Sequence, residues 1–225
     1  MMEKKFIQNR IALIALLSAC SIILVSMGLR QTFGLFFNVF EEALLVSRTE
    51  FGLAIGIQMF MWGLTAPLFG ILADKFGGNK AVFIGFIIFA FGIYFLYSGP
   101  NTGIFFQLSL GLLIGTALGA TAMSVPVSEV GKHFSNEQRT LATGIVTASA
   151  SIGYFLTPLF TKFSLIEFGW ENTLLYYLYF ILFGLIASIF LIPKQKTQSS
   201  ISENNDNQKF FEAIKEAFSH KGYLL

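Results

Sequence analysis

Gly70-Ile-Leu-Ala-Asp74-Lys75-Phe76-Gly77-Gly78-Asn79-Lys80 is a polar island between two long apolar runs. Each run is long enough to cross a bilayer, which takes about 20 residues. Asp74, Lys75 and Lys80 are costly in hydrocarbon, so the chain must surface here. Gly77 and Gly78 permit a tight backbone reversal, and Gly70 lets the end of one helix approach a neighbour closely.

The same alternation runs through the chain. Apolar residues make up 54% and charged residues 12%, with 27 Phe among 225 residues. A soluble domain of this size has no use for so much apolar surface, so the class is an all-α polytopic membrane bundle. The net charge of +2 gives no reason to invoke a nucleic-acid partner. Cys20 is the single cysteine, which excludes an intrachain disulfide and a cysteine metal cluster. The spans carry no paired carboxylates, no His–metal cluster and no Ser–base pair, so no catalytic residue, metal or cofactor is expected. Leu17-Ser18-Ala19-Cys20 follows a basic leader and is similar to a lipoprotein signal. The apolar run continues through Gly28, however, as a first spanning helix would.

Six spans are expected. The first runs from near Ile11 as far as Phe40, the second from Phe51 to about Leu72, and the third from Ala81 to Tyr97. The fourth covers about Ile104 to Val130, the fifth Arg139 to near Phe163, and the sixth about Thr173 to Ile192. Ser47 with Glu50, and Ser135 with Gln138, have capping-box spacing ahead of the second and fifth spans. Ser98 to Gly103 reads as a tight uncharged turn, and Ser164 to Asn172 as a loop. Lys4, Lys5, Arg10, Lys75, Lys80, Lys132, Arg139, Lys194 and Lys196 fall on one side of the membrane. Arg48 and Lys162 fall on the other. The first set is therefore cytoplasmic, together with the N-terminus of a multi-pass cell-membrane protein.

The transmembrane domain is expected over residues 1–193 and a cytoplasmic linker over 194–220. In that linker Phe210, Phe211, Ile214 and Phe218 recur at helical spacing, as in an interfacial helix. Residues 221–225 read as the opening of a seventh span. A faint internal repeat pairs Pro67-Leu68-Phe69…Phe76-Gly77 with Pro158-Leu159-Phe160…Phe168-Gly169 on opposite sides of the membrane. Two inverted three-helix repeats would place them so.

The spacing Gly70-x-x-x-Asp74-Lys75-x-Gly77-x-x-Lys80 resembles the loop between the second and third helices of the major facilitator superfamily. The family form has two basic residues where this chain has Gly78 and Asn79. The resemblance covers about Gly28 to Ile192. It implies half of a twelve-helix facilitator, partnered by a C-terminal six-helix half beyond these residues and embedded in the lipid bilayer. It also implies a gating clasp of Gly70, Asp74, Lys75, Gly77, Lys80, Glu129 and Arg139. Asp74 would pair with a basic group and cap a neighbouring helix. Arg139 would be the partner of Asp74 or Glu129, with Lys132 the other candidate for Glu129.

Arg30 lies inside the first span, in Met27-Gly28-Leu29-Arg30-Gln31-Thr32-Phe33-Gly34. A charge there is either functional or snorkels to the headgroups. Facing a cavity, its planar fork of donors would hold a carboxylate. The string resembles the first helix of porters in the monocarboxylate and oxalate/formate branch, which implies a small organic anion as substrate. A coupled proton or counter-anion is the further partner that branch allows. Gln31 adjoins Arg30, Gln58 and Trp62 share a face of the second span, and Tyr154 shares one with Thr147 and Ser151. These side chains could line the cavity. Helix–helix glue for Gln58, and hydroxyls bonded back to their own helix, are the structural alternatives.

Gly111, Gly115 and Gly119 form a small-residue packing stripe. The family often has Arg four residues before the first of them, where this chain has Gln107. Gly144, Gly153 and Thr157-Pro158 resemble the family's antiporter motif in degenerate form, with Pro158 expected to kink the helix. The function expected is secondary transport of a monocarboxylate-like anion by alternating access. Drug-type efflux and a non-transporting half-bundle are the alternatives.

Overall fold

The computed structural model describes the backbone of residues 2–99 and 102–191, and side chains from Arg10 onward. The expected linker over 194–220 and the seventh-span opening over 221–225 lie outside these residues. Every element among the described residues is helical.

Five helical stretches are long and apolar enough to cross a membrane: Arg10–Ala43, Arg48–Phe76, Gly78–Ser98, Gly103–Gly131 and Asn136–Phe190. The first comprises α1 (Met2–Thr32), a 3-10 turn (Phe33–Phe36) and α2 (Phe37–Ala43). Ser47 then caps α3 (Arg48–Phe76) through a complete capping box, accepting from the Glu50 amide while its own amide donates to Glu50 Oε2 at 2.9 Å. The second expected box does not form. Ser135 stands at the N-cap of its helix but makes no side-chain capping bond.

A single residue joins α3 to α4 (Gly78–Ser98). Gly77 has φ +97°, a region that only glycine enters without strain, and Gly78 is already helical. The reversal expected of two glycines therefore needs one, and Gly78 is left for another task.

The fourth stretch is less regular than its sequence suggests. It comprises α5 (Gly103–Phe106), a π-helical segment (Gln107–Leu113), α6 (Ile114–Thr121) and α7 (Ser124–Gly131). The break at Ala122–Met123 lies four residues before Pro126. Proline lacks an amide hydrogen and its ring clashes with the carbonyl of residue i−4, here Ala122.

The last element, α8 (Asn136–Phe190), has 55 residues and leaves helical geometry only at Gly169, at φ +78° and ψ +173°. A straight helix would hold residues 16 apart about 24 Å from one another. Yet Thr161 Oγ1 lies 2.7 Å from the Tyr177 hydroxyl, and the rings of Phe160 and Phe180 are 5.2 Å apart. The chain therefore doubles back at Gly169. The loop expected over Ser164–Asn172 is a one-residue bend, with Ser164 and Thr173 bonded across it at 2.9 Å.

Packing is close where side chains are small. A methyl on Gly153 would come within 2.5 Å of the Leu24 carbonyl, so α1 and the first arm of α8 meet backbone to backbone. Gly111, Gly115 and Gly119 meet Ala54/Ile57, Gln58 and Thr65/Ala66 of α3 in the same manner. Gly144 and Gly70 face open space, and Pro158 lies within the first arm of α8.

Candidate functional site

Arg30 stands in the last turn of α1, immediately before the 3-10 turn. Its Nη2 donates to Met59 Sδ at 3.0 Å, and its guanidinium lies 5.0 Å from the centre of the Trp62 ring. Both partners come from α3, three residues apart and so on one face. Tyr154, on α8, is near enough to act on Arg30 electrostatically. Arg30 Nε is buried with no hydrogen-bond partner among the described residues. Among the described residues no carboxylate pairs with this guanidinium.

A thioether is a weak acceptor, and a ring face attracts a cation by about 0.5–2 kcal/mol. Neither neutralises a guanidinium. An oxyanion would supply the two parallel acceptors that the fork lacks.

The other expected site residues divide around this point. Trp62 and Tyr154 join Arg30, and Gln31 is exposed beside it. Gln58 does not join them. Its side chain is buried and donates to the Leu110 carbonyl of the π-helical segment at 3.1 Å, so its amide is taken up in holding α3 to that segment. Thr147 bonds back to the Thr143 carbonyl at 2.8 Å. Met59 was not anticipated. The available signal was its spacing of three from Trp62.

At the C-terminal end of α3, Lys132 bridges two carboxylates. Its Nζ lies 2.7 Å from Glu129 Oε1 and 3.3 Å from Asp74 Oδ1. The Glu129 side chain is 2% exposed, Lys132 36% and Asp74 65%. Burial alone would lower the Lys132 pKa. The hydrogen bonds and charges of Glu129 and Asp74 outweigh it and hold the ammonium above the ordinary lysine value. Glu129 packs against Gly78, at the first turn of α4, where the helix dipole favours negative charge. Asp74 has Lys132 as its basic partner. The guanidinium of Arg139 lies over Gly131 and takes no part in the bridge. Lys75 and Lys80 are exposed. His133 is half-buried beside a cavity of about 570 Å³.

A third feature had no sequence signal. Thr32 of α1 and Thr161 of α8 both bond to the buried Tyr177 hydroxyl, which ties α1 to both arms of α8.

The family model of the Major Facilitator Superfamily matches residues 12–225. The chain belongs to this superfamily. Within it, the chain is 26% identical over 180 residues to a probable nitrate transporter, NarT, of Staphylococcus epidermidis, covering 79% of this chain and 44% of that protein. It is 31% identical over 153 residues to monocarboxylate transporter 13 of Bos taurus, covering 66% and 34% respectively. The fold matches the crystal structure of the POT family transporter PepTSo with a TM-score of 0.62 at 18% identity, over 93% of this chain and 46% of that one. The chain thus spans less than half the length of each of these superfamily proteins.

Proposed function

We propose that the chain is the N-terminal half of a secondary transporter for small organic anions of monocarboxylate type. The observation that carries this reading is Arg30, a guanidinium whose buried Nε has no partner, and which has no carboxylate beside it, among the described residues. Trp62 walls the site and Tyr154 adds a polar edge, while Gln58 supports it from the packing interface. Two relatives bear names that specify anions, one a monocarboxylate and one nitrate.

In this reading the two arms of α8 are separate spans, which makes six in two inverted repeats with the N-terminus in the cytoplasm. A second six-helix half completes the cavity, and rocking of the halves moves substrate across. The Asp74–Lys132–Glu129 bridge locks the cytoplasmic end in one of the two states.

Uptake of radiolabelled lactate into cells expressing the full reading frame tests this. Excess unlabelled pyruvate or formate should suppress uptake, while a lipophilic cation should not. Suppression by nitrate alone would move the substrate to inorganic oxyanions. Suppression by the cation would favour efflux chemistry and contradict the reading.

A further inference from the structure

We propose that the groove between the first turns of α4 and the last turns of α8 is a binding site for phosphatidylglycerol. The inference is independent of what is transported.

The groove has a volume of about 380 Å³ and is lined by Asn79, Lys80, Phe83, Ile84, Ser188 and Ile189. Phe83, Ile84 and Ile189 are exposed large apolar residues, suited to an acyl chain. Phe83 and Ile84 lie about one helical turn further along α4 than Asn79 and Lys80, so the polar groups sit at one end of the groove. Ser188 makes no demand there, because its hydroxyl already donates to the Leu185 carbonyl at 2.7 Å.

Two demands remain, and they differ in kind. Lys80 is exposed and pairs with no carboxylate among the described residues. Asn79 Oδ1 is buried and has no hydrogen-bond partner among the described residues. A buried acceptor without a donor is costly, so its partner should come from outside the described residues. The ligand needs an anionic group for Lys80, a hydrogen-bond donor beside it for Asn79, and an apolar tail. Phosphatidylglycerol has all three. Its phosphate meets Lys80, a glycerol hydroxyl donates to Asn79 Oδ1, and an acyl chain lies along Phe83, Ile84 and Ile189. Phosphatidylcholine has no donor in its headgroup and carries no net charge to match Lys80.

The test is lipid retention in native mass spectrometry, with the protein extracted from vesicles of equimolar phosphatidylglycerol and phosphatidylcholine. Wild type should retain phosphatidylglycerol in preference, and Lys80→Gln should reduce that retention about tenfold, the value of one charge-assisted bond. Lys75→Gln, at the same end but outside the groove, should leave it unchanged. Equal retention of both lipids, no effect of Lys80→Gln, or an equal loss with Lys75→Gln would overturn the proposal. A photoreactive benzoylphenylalanine at Ile189 gives a second reading. It should capture phosphatidylglycerol, and capture of the chain's own residues beyond 191 would assign the groove to the protein itself.

Discussion

A methyl group on Gly78 would lie 2.2 Å from Cγ of Glu129, so the buried carboxylate occupies the space of the side chain that residue 78 lacks. Where the family loop carries a basic residue, this chain has room for an acid. The cation comes instead from Lys132, three residues beyond Glu129 on the same segment.

Gly78→Ala should therefore destabilise the protein by about 1–3 kcal/mol, the usual cost of forcing a group into a filled space. Gly70→Ala, within α3, meets nothing within 4 Å and should leave stability unchanged or raise it by up to about 1 kcal/mol. Thermal unfolding in detergent compares the two.

Lys132→Gln strands a buried carboxylate. Because Lys132 is itself partly exposed, the cost should be about 1–3 kcal/mol, below that of a fully buried pair. A second change, Glu129→Gln, should recover most of the loss, and Lys132→Arg should avoid it. Arg139→Gln should do little, because that guanidinium lies outside the bridge. A double-mutant cycle on unfolding temperature measures the coupling.

The clasp has a predictable pH window. The Lys132 pKa is raised in the folded protein above the ordinary lysine value of 10.5. Its contribution to stability is then fully present below that value and is lost as pH climbs through the raised one. Unfolding temperatures measured between neutral pH and the lysine range should show a high-pH decline that Lys132→Gln reduces.

Gly169 isolates a pure backbone effect. A Cβ there would meet nothing within 4 Å, yet its φ +78° and ψ +173° lie in a region open essentially to glycine alone. Gly169→Ala should cost about 1–3 kcal/mol without any clash. Calorimetric or fluorescence-detected unfolding should show this loss, because the bond between Thr161 and Tyr177 depends on the fold-back.

The spans were legible because charge interrupts apolar runs at Asp74 and again at Lys132, and hydrocarbon tolerates neither. Arg30 was legible for the same reason. Which face of α3 meets it was not, because Gln58 and Met59 are adjacent and only the neighbouring helix decides which turns inward. The break before Pro126 had a visible cause that an otherwise continuous apolar run concealed. The bond between Thr32 and Tyr177 joins residues 145 apart and leaves no local pattern.

The central claim is that Arg30 holds the transported anion. Uptake of radiolabelled lactate by Arg30→Ala, with membrane insertion matched to wild type, tests it most directly. Loss of the charge-assisted bonds predicts a fall of about tenfold to a hundredfold, with Arg30→Lys between the two because a point charge replaces the fork. Undiminished uptake by Arg30→Ala would contradict the account.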